Sequence, residues 1–481
     1  MEPAAISSVS VADFEPHGYF NGQAYRFEPD GAIYSVREGR VVRFTDFDAF
    51  VAVAPPHWRL VLVMLLLLHG LACCVSLVLV QHYYSYLPII RFDPHTLVRA
   101  SVSVLPSLGL FLIVAFGRAS FGTALSFYLL TVAAGFSWLV PFSSFDYDRD
   151  LATLSIVLSA LAFALPAVRL PVRLPQPPRL SDRAVGRLLA VLMLASGLIL
   201  AVASTYNYRI VALADIYEYR GTGAEMPKWL RYGCGIVVGA LLPYAFAMFA
   251  ARGRWVAAAI AALLLMGFYP VSLMKLALFA PPWLIFLFVL FRVTEERIAI
   301  VLSLLLPLLV GLATMVPRGL GFGDDPHVNL VFGVINFRML AVPAISLDVY
   351  NDFFAHHPLT YFCQVSWLKP FLTCPYEIPL AETLAREYGF GSLNASAFAT
   401  EGIASLGPVL APLSALLCGM VIALANGMSR HWPQRYVILS AGVALQGFMS
   451  VPFTTMLLTN GAAVLFLLWY LTPASYFGVE E

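Results

Sequence analysis

The chain has 481 residues, 60% of them hydrophobic and 12% charged, and its 29 Lys and Arg against 28 Asp and Glu leave a formal net charge of +1. With a mean hydropathy of +0.80, this composition excludes a soluble multidomain protein and offers no basic field for nucleic acid. The length is read in membrane spans.

The first apolar run starts after about fifty-six residues, too late and too long for a cleaved signal peptide. Residues 1–56 read as a small cytoplasmic segment. Within it, Tyr25 to Phe27 and Ala32 to Val36 flank the turn triplet Pro29-Asp30-Gly31, and Val41 to Phe44 could add a strand. A β-hairpin is expected, with a partly ordered tail as the alternative because a lone hairpin is marginal in water.

Between 57 and 316, apolar runs long enough to span lie near 58–80, 99–117, 121–141, 151–168, 185–204, 232–251, 255–270, 276–292 and 298–316. Three more, 407–426, 436–452 and 460–475, fill the region 407–481. The expected fold is therefore an all-α integral membrane protein of about twelve transmembrane helices. The connection 167–187 carries Arg169, Arg173, Arg179, Arg183 and Arg187 against Asp182. The positive-inside rule places it in the cytoplasm, and counting outward puts both termini there too.

Residues 317–406 interrupt this pattern with many charges, among them Arg318, Asp324, Asp325, His327, Arg338, Asp348, Asp352, His356, His357, Lys369, Glu382 and Glu401. A charge at the bilayer centre costs on the order of 2.5–3.5 kcal/mol even on lenient scales, so this stretch is expected as a large extracytoplasmic helical loop domain between spans 9 and 10. It holds Cys363 and Cys374, which an oxidising compartment would allow to pair; two free thiols are the alternative.

Four groups of residues have the makings of chemistry. In the outside loop 205–231, Arg209, Tyr217 and Arg220 stand just beyond a span, where a guanidinium fork suits a diphosphate at the headgroup level; pairing with Asp215, Glu218 or lipid phosphate is the plainer reading. In 326–358, Arg338 sits in an apolar frame that fits a surface-lying amphipathic helix and could enter a cavity or snorkel. Glu401 lies almost alone in a Gly-bracketed apolar segment, which suits a general base and equally a helix-initiating carboxylate. The runs Asp146-Tyr147-Asp148-Arg149-Asp150 and Asp324-Asp325-Pro326-His327 could hold a metal but read more simply as solvated turns. No metal or cofactor is assigned.

Three segments carry a resemblance: Tyr217-Glu218-Tyr219-Arg220-Gly221, the Arg338 segment running into Tyr350-Asn351-Asp352 and His357-Pro358-Leu359-Thr360-Tyr361, and Glu401 with Gly407 opening the next span. Together with the topology they resemble the O-antigen polymerase-like family of oligosaccharide repeat-unit polymerases. That resemblance implies a GT-C-like inverting glycosyltransferase in a bacterial inner membrane. Its donor would be a polyprenyl-diphosphate-linked oligosaccharide and its acceptor a growing glycan, with membrane lipids and polysaccharide export or chain-length proteins as partners. Arg220, Arg338 and Glu401 would be catalytic, and Arg209, Tyr217, Lys275, Arg318, His327, Tyr350, His357 and Tyr361 would bind substrate. A lipid-linked oligosaccharide ligase, a flippase or secondary carrier, and a non-enzymatic assembly subunit are the competing classes. A carrier would keep ionisable residues on broken helices near mid-membrane, and the predicted spans are nearly free of charge.

Overall fold

The computed structural model describes residues 24–26, 33–37, 40–44, 57–87, 89–175, 180–211, 226–319, 330–365, 368, 370–391, 393 and 398–477. Near the N-terminus, β1 (Ala24–Arg26), β2 (Ile33–Arg37) and β3 (Arg40–Phe44) form an antiparallel sheet in the order β1-β2-β3, with Tyr25 opposite Tyr34 and Val36 opposite Val41. Among the described residues the rest of the regular structure is helical.

Among the described residues, eleven helices are long and apolar enough to cross a membrane. Nine follow in order: α1 (Arg59–Tyr83), α2 (Pro94–Phe116), α3 (Phe121–Phe142), α4 (Arg149–Arg169), α5 (Asp182–Ser204), α6 (Lys228–Ala251), α7 (Trp255–Ser272), α8 (Lys275–Val293) and α9 (Glu296–Val316). The other two are α10 (Leu330–His356) and α12 (Phe398–Ser429), with the short α11 (Leu380–Tyr388) between them. The C-terminal part is α13 (Gln434–Ser440), α14 (Gly442–Ser450), α15 (Phe453–Leu458) and α16 (Ala462–Leu471).

Helix α3 has no charged residue and is buried along its whole length, as a helix apolar on every side must be. It is the axis of the bundle. Around it α5 turns Leu194 and Leu198 outward, 76% and 64% exposed, which is stable only against lipid. Helices α4 and α12 pack closely because both faces are built of small residues. A Cβ on Gly419 would lie 2.4 Å from the Phe163 carbonyl oxygen, and Asn426 Nδ2 donates to the Ala167 carbonyl at 2.7 Å.

Polar contacts tie together the two ends of the bundle. At the arginine-rich end, Arg252 Nη2 donates to Asp182 at 2.6 Å, Ser475 Oγ to the same carboxylate at 3.0 Å, and the Arg435 amide to Glu296 at 3.3 Å. At the far end, the Asp146 amide donates to Asp352 Oδ1 at 3.0 Å. Helices α1 to α9 alternate between these ends, and α12 returns from the far one, where Ser155 Oγ meets the Pro408 carbonyl.

Two parts of this arrangement differ from the sequence reading. Helix α10 was expected as a surface-lying stretch in a polar loop; it is a 27-residue apolar helix long enough to span. Yet Phe332 and Phe337 at its start pack on Tyr83 and Tyr84, and Asp352 near its end holds the loop after α3, so both its ends belong to the far end of the bundle. It lies across that half, and its apolar faces are covered by α1, α3 and α9. The expected last two spans are also broken. Helix α16 has ten residues, about 15 Å of rise against a core of about 30 Å. Pro452 and the left-handed Gly461 (φ 79°) interrupt the chain on either side of α15.

Candidate functional site

Helix α10 organises the far end, because its last three turns hold two other segments. Asp348 and Asp352, four residues apart, share a face. The Tyr147 hydroxyl donates to Asp348, with Ser143 beside it, and the Tyr388 hydroxyl donates to Asp352 Oδ2 at 2.6 Å. These bonds fasten the α3–α4 turn and α11 to α10. Burial, and then the Asp348 charge, hold the Tyr147 phenol above its ordinary range. Burial followed by Asp352 does the same for Tyr388, so both phenols remain donors. The acidic run 146–150 is thus a structural turn: Asp148 caps α4 through the Leu151 amide at 2.9 Å, and the Asp146 backbone serves Asp352. Among the described residues no group of three or more His, Cys, Asp or Glu is placed to hold a metal ion.

His357 ends α10. Its Nδ1 lies 2.9 Å from the Phe353 carbonyl, which only accepts, so Nδ1 carries a proton and Nε2 of the neutral ring is the basic nitrogen. Nε2 faces Glu387 Oε1 at 3.8 Å, and the ring stacks on Phe353 with centroids 4.0 Å apart. Both side chains remain partly open to solvent, at 38% and 42%. Next to it, Cys363 and Cys374 are disulfide-bonded, closing a loop that begins at the exposed Tyr361. The Tyr376 hydroxyl returns to the Pro358 carbonyl at 2.6 Å.

Glu401 packs against α10 beside Tyr350. It belongs to a wide π-helical turn, Phe398–Ile403, that opens α12 ahead of the kink at Gly407 (φ 77°). Its side chain is buried at 3% exposure. Oε1 accepts the Thr454 amide and hydroxyl, both at 2.9 Å, while Oε2 has no hydrogen-bond partner among the described residues. The carboxylate therefore caps α15, fifty-three residues downstream. The sequence alternative was a carboxylate initiating its own helix after Thr400; the carboxylate instead serves the amide of Thr454 in α15. Among the described residues Glu401 is covered, with Thr454 on its Oε1 and Tyr350 beside it, so an acceptor hydroxyl does not reach it in this arrangement. Tyr350, expected to cradle a sugar, is equally buried, its hydroxyl beside Thr400 and in the field of Glu401.

The remaining predicted residues do not converge on this place. Arg338 is exposed on α10, twelve residues before Tyr350 and so about 18 Å along the helix. Arg209 lies at a separate corner, where its amide donates to the Pro270 carbonyl at 2.9 Å, and Lys275 opens α8 five residues beyond that proline. An apolar groove of about 330 Å³ lies there, lined by Gly197, Leu200, Ala201, Ser204, Tyr208, Gly267 and Pro270. Tyr217, Arg220 and His327 lie outside the described residues, as does the side chain of Arg318. Sequence reasoning named Tyr147 within an acidic turn, Tyr388 in the segment before Glu401 and Glu387 among the island's charges without giving them these partners, and it did not name Thr454. Each acts through a partner distant in sequence, and only the acidic neighbours of Tyr147 gave any local signal.

No family model, curated protein or solved structure matches the chain.

Proposed function

We propose that the protein is a membrane glycosyltransferase that extends a glycan from a polyprenyl-diphosphate-linked repeat unit at the outer face of a bacterial inner membrane. The observation that carries this reading is His357: a partly exposed imidazole whose tautomer is fixed by Phe353, with Glu387 beside its basic nitrogen, on the end of the bundle opposite the arginines. In the proposed step the acceptor hydroxyl gives its proton to Nε2 as its oxygen attacks the anomeric carbon. The bond from that carbon to the diphosphate oxygen breaks with its electron pair going to the leaving diphosphate, and the configuration inverts. Glu387 stabilises the imidazolium that forms. The leaving diphosphate needs compensating charge, for which Arg209, Arg220 and Arg338 are the candidates. The apolar groove beside Arg209 suits the donor's isoprenoid chain. The base role expected of Glu401 passes to His357, because a base must be within hydrogen-bond reach of the proton it takes.

A second reading, a cation-coupled carrier of lipid-linked oligosaccharide, is favoured by one observation: an acid buried beside a broken helix, as carriers build their coupling sites. Analysis of lipid-linked glycans in a deletion strain separates the two. Single repeat units accumulating on the outer face support the polymerase. Full-length unattached chains indicate a ligase, and units held on the cytoplasmic side indicate the carrier.

A further inference from the structure

The proposed transfer leaves Glu401 without a chemical task, although the structure surrounds it with oxygen. We propose that Tyr350, Thr400, Glu401 and Thr454 form a buried binding site for a small monovalent metal cation such as Na⁺. The four residues come from α10, the wide turn of α12 and α15. Tyr350 is 1% exposed, Glu401 3% and Thr400 8%.

The argument is one of charge and lone pairs. A buried carboxylate needs a counter-charge or a proton together with filled hydrogen bonds. Glu401 has no ion pair among the described residues; the Thr454 amide and hydroxyl both serve Oε1 and the Phe453 amide also approaches the carboxylate, while Oε2 as placed makes no hydrogen bond. A proton on Oε2 would neutralise the charge, but its O–H could serve only one of the surrounding oxygens. A monovalent cation resolves both deficits, whereas a divalent ion would leave an unbalanced positive charge among apolar side chains. Oxygens for its shell are at hand. The Thr400 hydroxyl is buried and lies within hydrogen-bonding reach of the Tyr350 phenol, with lone pairs to spare. Thr454 Oγ1, having given its proton to Glu401, offers lone pairs alone. The other titratable group in the field of Glu401 is the Cys418 thiol, a weak ligand for so hard a cation. Bound there, the cation would fasten the broken segment around α15 to α12, so occupancy and stability of that segment would rise together.

The test is thermal unfolding of the detergent-purified full chain in NaCl against choline chloride at equal ionic strength. We expect a saturable rise in Tm of roughly 2–4 °C with Na⁺ in the wild type. The increment should vanish in Glu401→Gln and fall in Thr400→Val. Because the increment is read within each variant, a lowered baseline does not obscure it, and the wild-type titration stands by itself. Equal Tm in the two salts overturns the proposal, as does a stability that follows pH alone, or a Na⁺ increment that survives Glu401→Gln.

Discussion

Replacing Gly311 with alanine should unseat α10. A Cβ at this position would come 1.7 Å from Asn336 Oδ1 and 2.8 Å from its Cγ, so the amide must leave. Asn336 Nδ2 now donates to Ser76 Oγ at 2.8 Å and to the Leu308 carbonyl at 3.2 Å, joining α10 to α1 and α9. Interhelical hydrogen bonds inside membrane proteins average about 0.6 kcal/mol and reach about 1.7, so two lost bonds cost about 1–3 kcal/mol. Displacing a side chain into packed surroundings adds about 1–3 kcal/mol more. At about 2 °C per kcal/mol for a large chain, a total near 2–6 kcal/mol lowers Tm by roughly 4–12 °C. The assay is thermal unfolding of the purified protein, run as a double-mutant cycle with Asn336→Ala. With the amide removed, the new methyl has room, and Gly311→Ala should then cost under half as much. A Gly311→Ala protein as stable as wild type, or an undiminished cost in the Asn336→Ala background, refutes the reasoning.

Other consequences are simpler. Replacing Cys363 and Cys374 with serine opens a loop of sequence separation 11 and should cost about 2–3 kcal/mol locally, read as faster proteolysis within 361–376 while the helical bundle persists. Intact resistance in the double serine variant would mean that the loop is held by its other contacts. The Tyr147 and Tyr388 phenols are raised above their ordinary value of about 10, so the neutral donors they contribute stabilise the fold fully below that pH. Stability is expected to hold from pH 7 to about 10 and to fall as pH rises beyond it. Tyr388→Phe should lower the plateau and reduce that alkaline loss; an unchanged profile would count against the phenol–carboxylate latch.

The nine helices before residue 317 were legible because each is a charge-poor run of about twenty residues, and no tertiary information is needed to see that such a run spans. Helix α10 was misjudged because its polar residues, Asn336, Asp348 and Asp352, look like solvent-facing ones in sequence. Their partners Ser76, Tyr147 and Tyr388 lie between 36 and 260 residues away. The broken C-terminal hairpin showed Pro452 and Gly461 plainly, but not that the gap would be bridged by Glu401. For the same reason an isolated acid suggested reactivity, when its isolation in sequence hid two hydrogen bonds from Thr454. His357 was among the candidates; what singled it out, the Phe353 carbonyl and the approach of Glu387 on α11, is geometry that a linear motif does not contain.

The central claim is that His357 removes the acceptor's proton. Its most direct test is chain growth on purified lipid-linked repeat units by His357→Gln, a variant that keeps polarity and removes the base. The account predicts an inserted, folded protein whose polymerisation rate falls about 10²- to 10⁴-fold, with donor binding retained. Polymer of normal length, made at the wild-type rate by that variant, would contradict it.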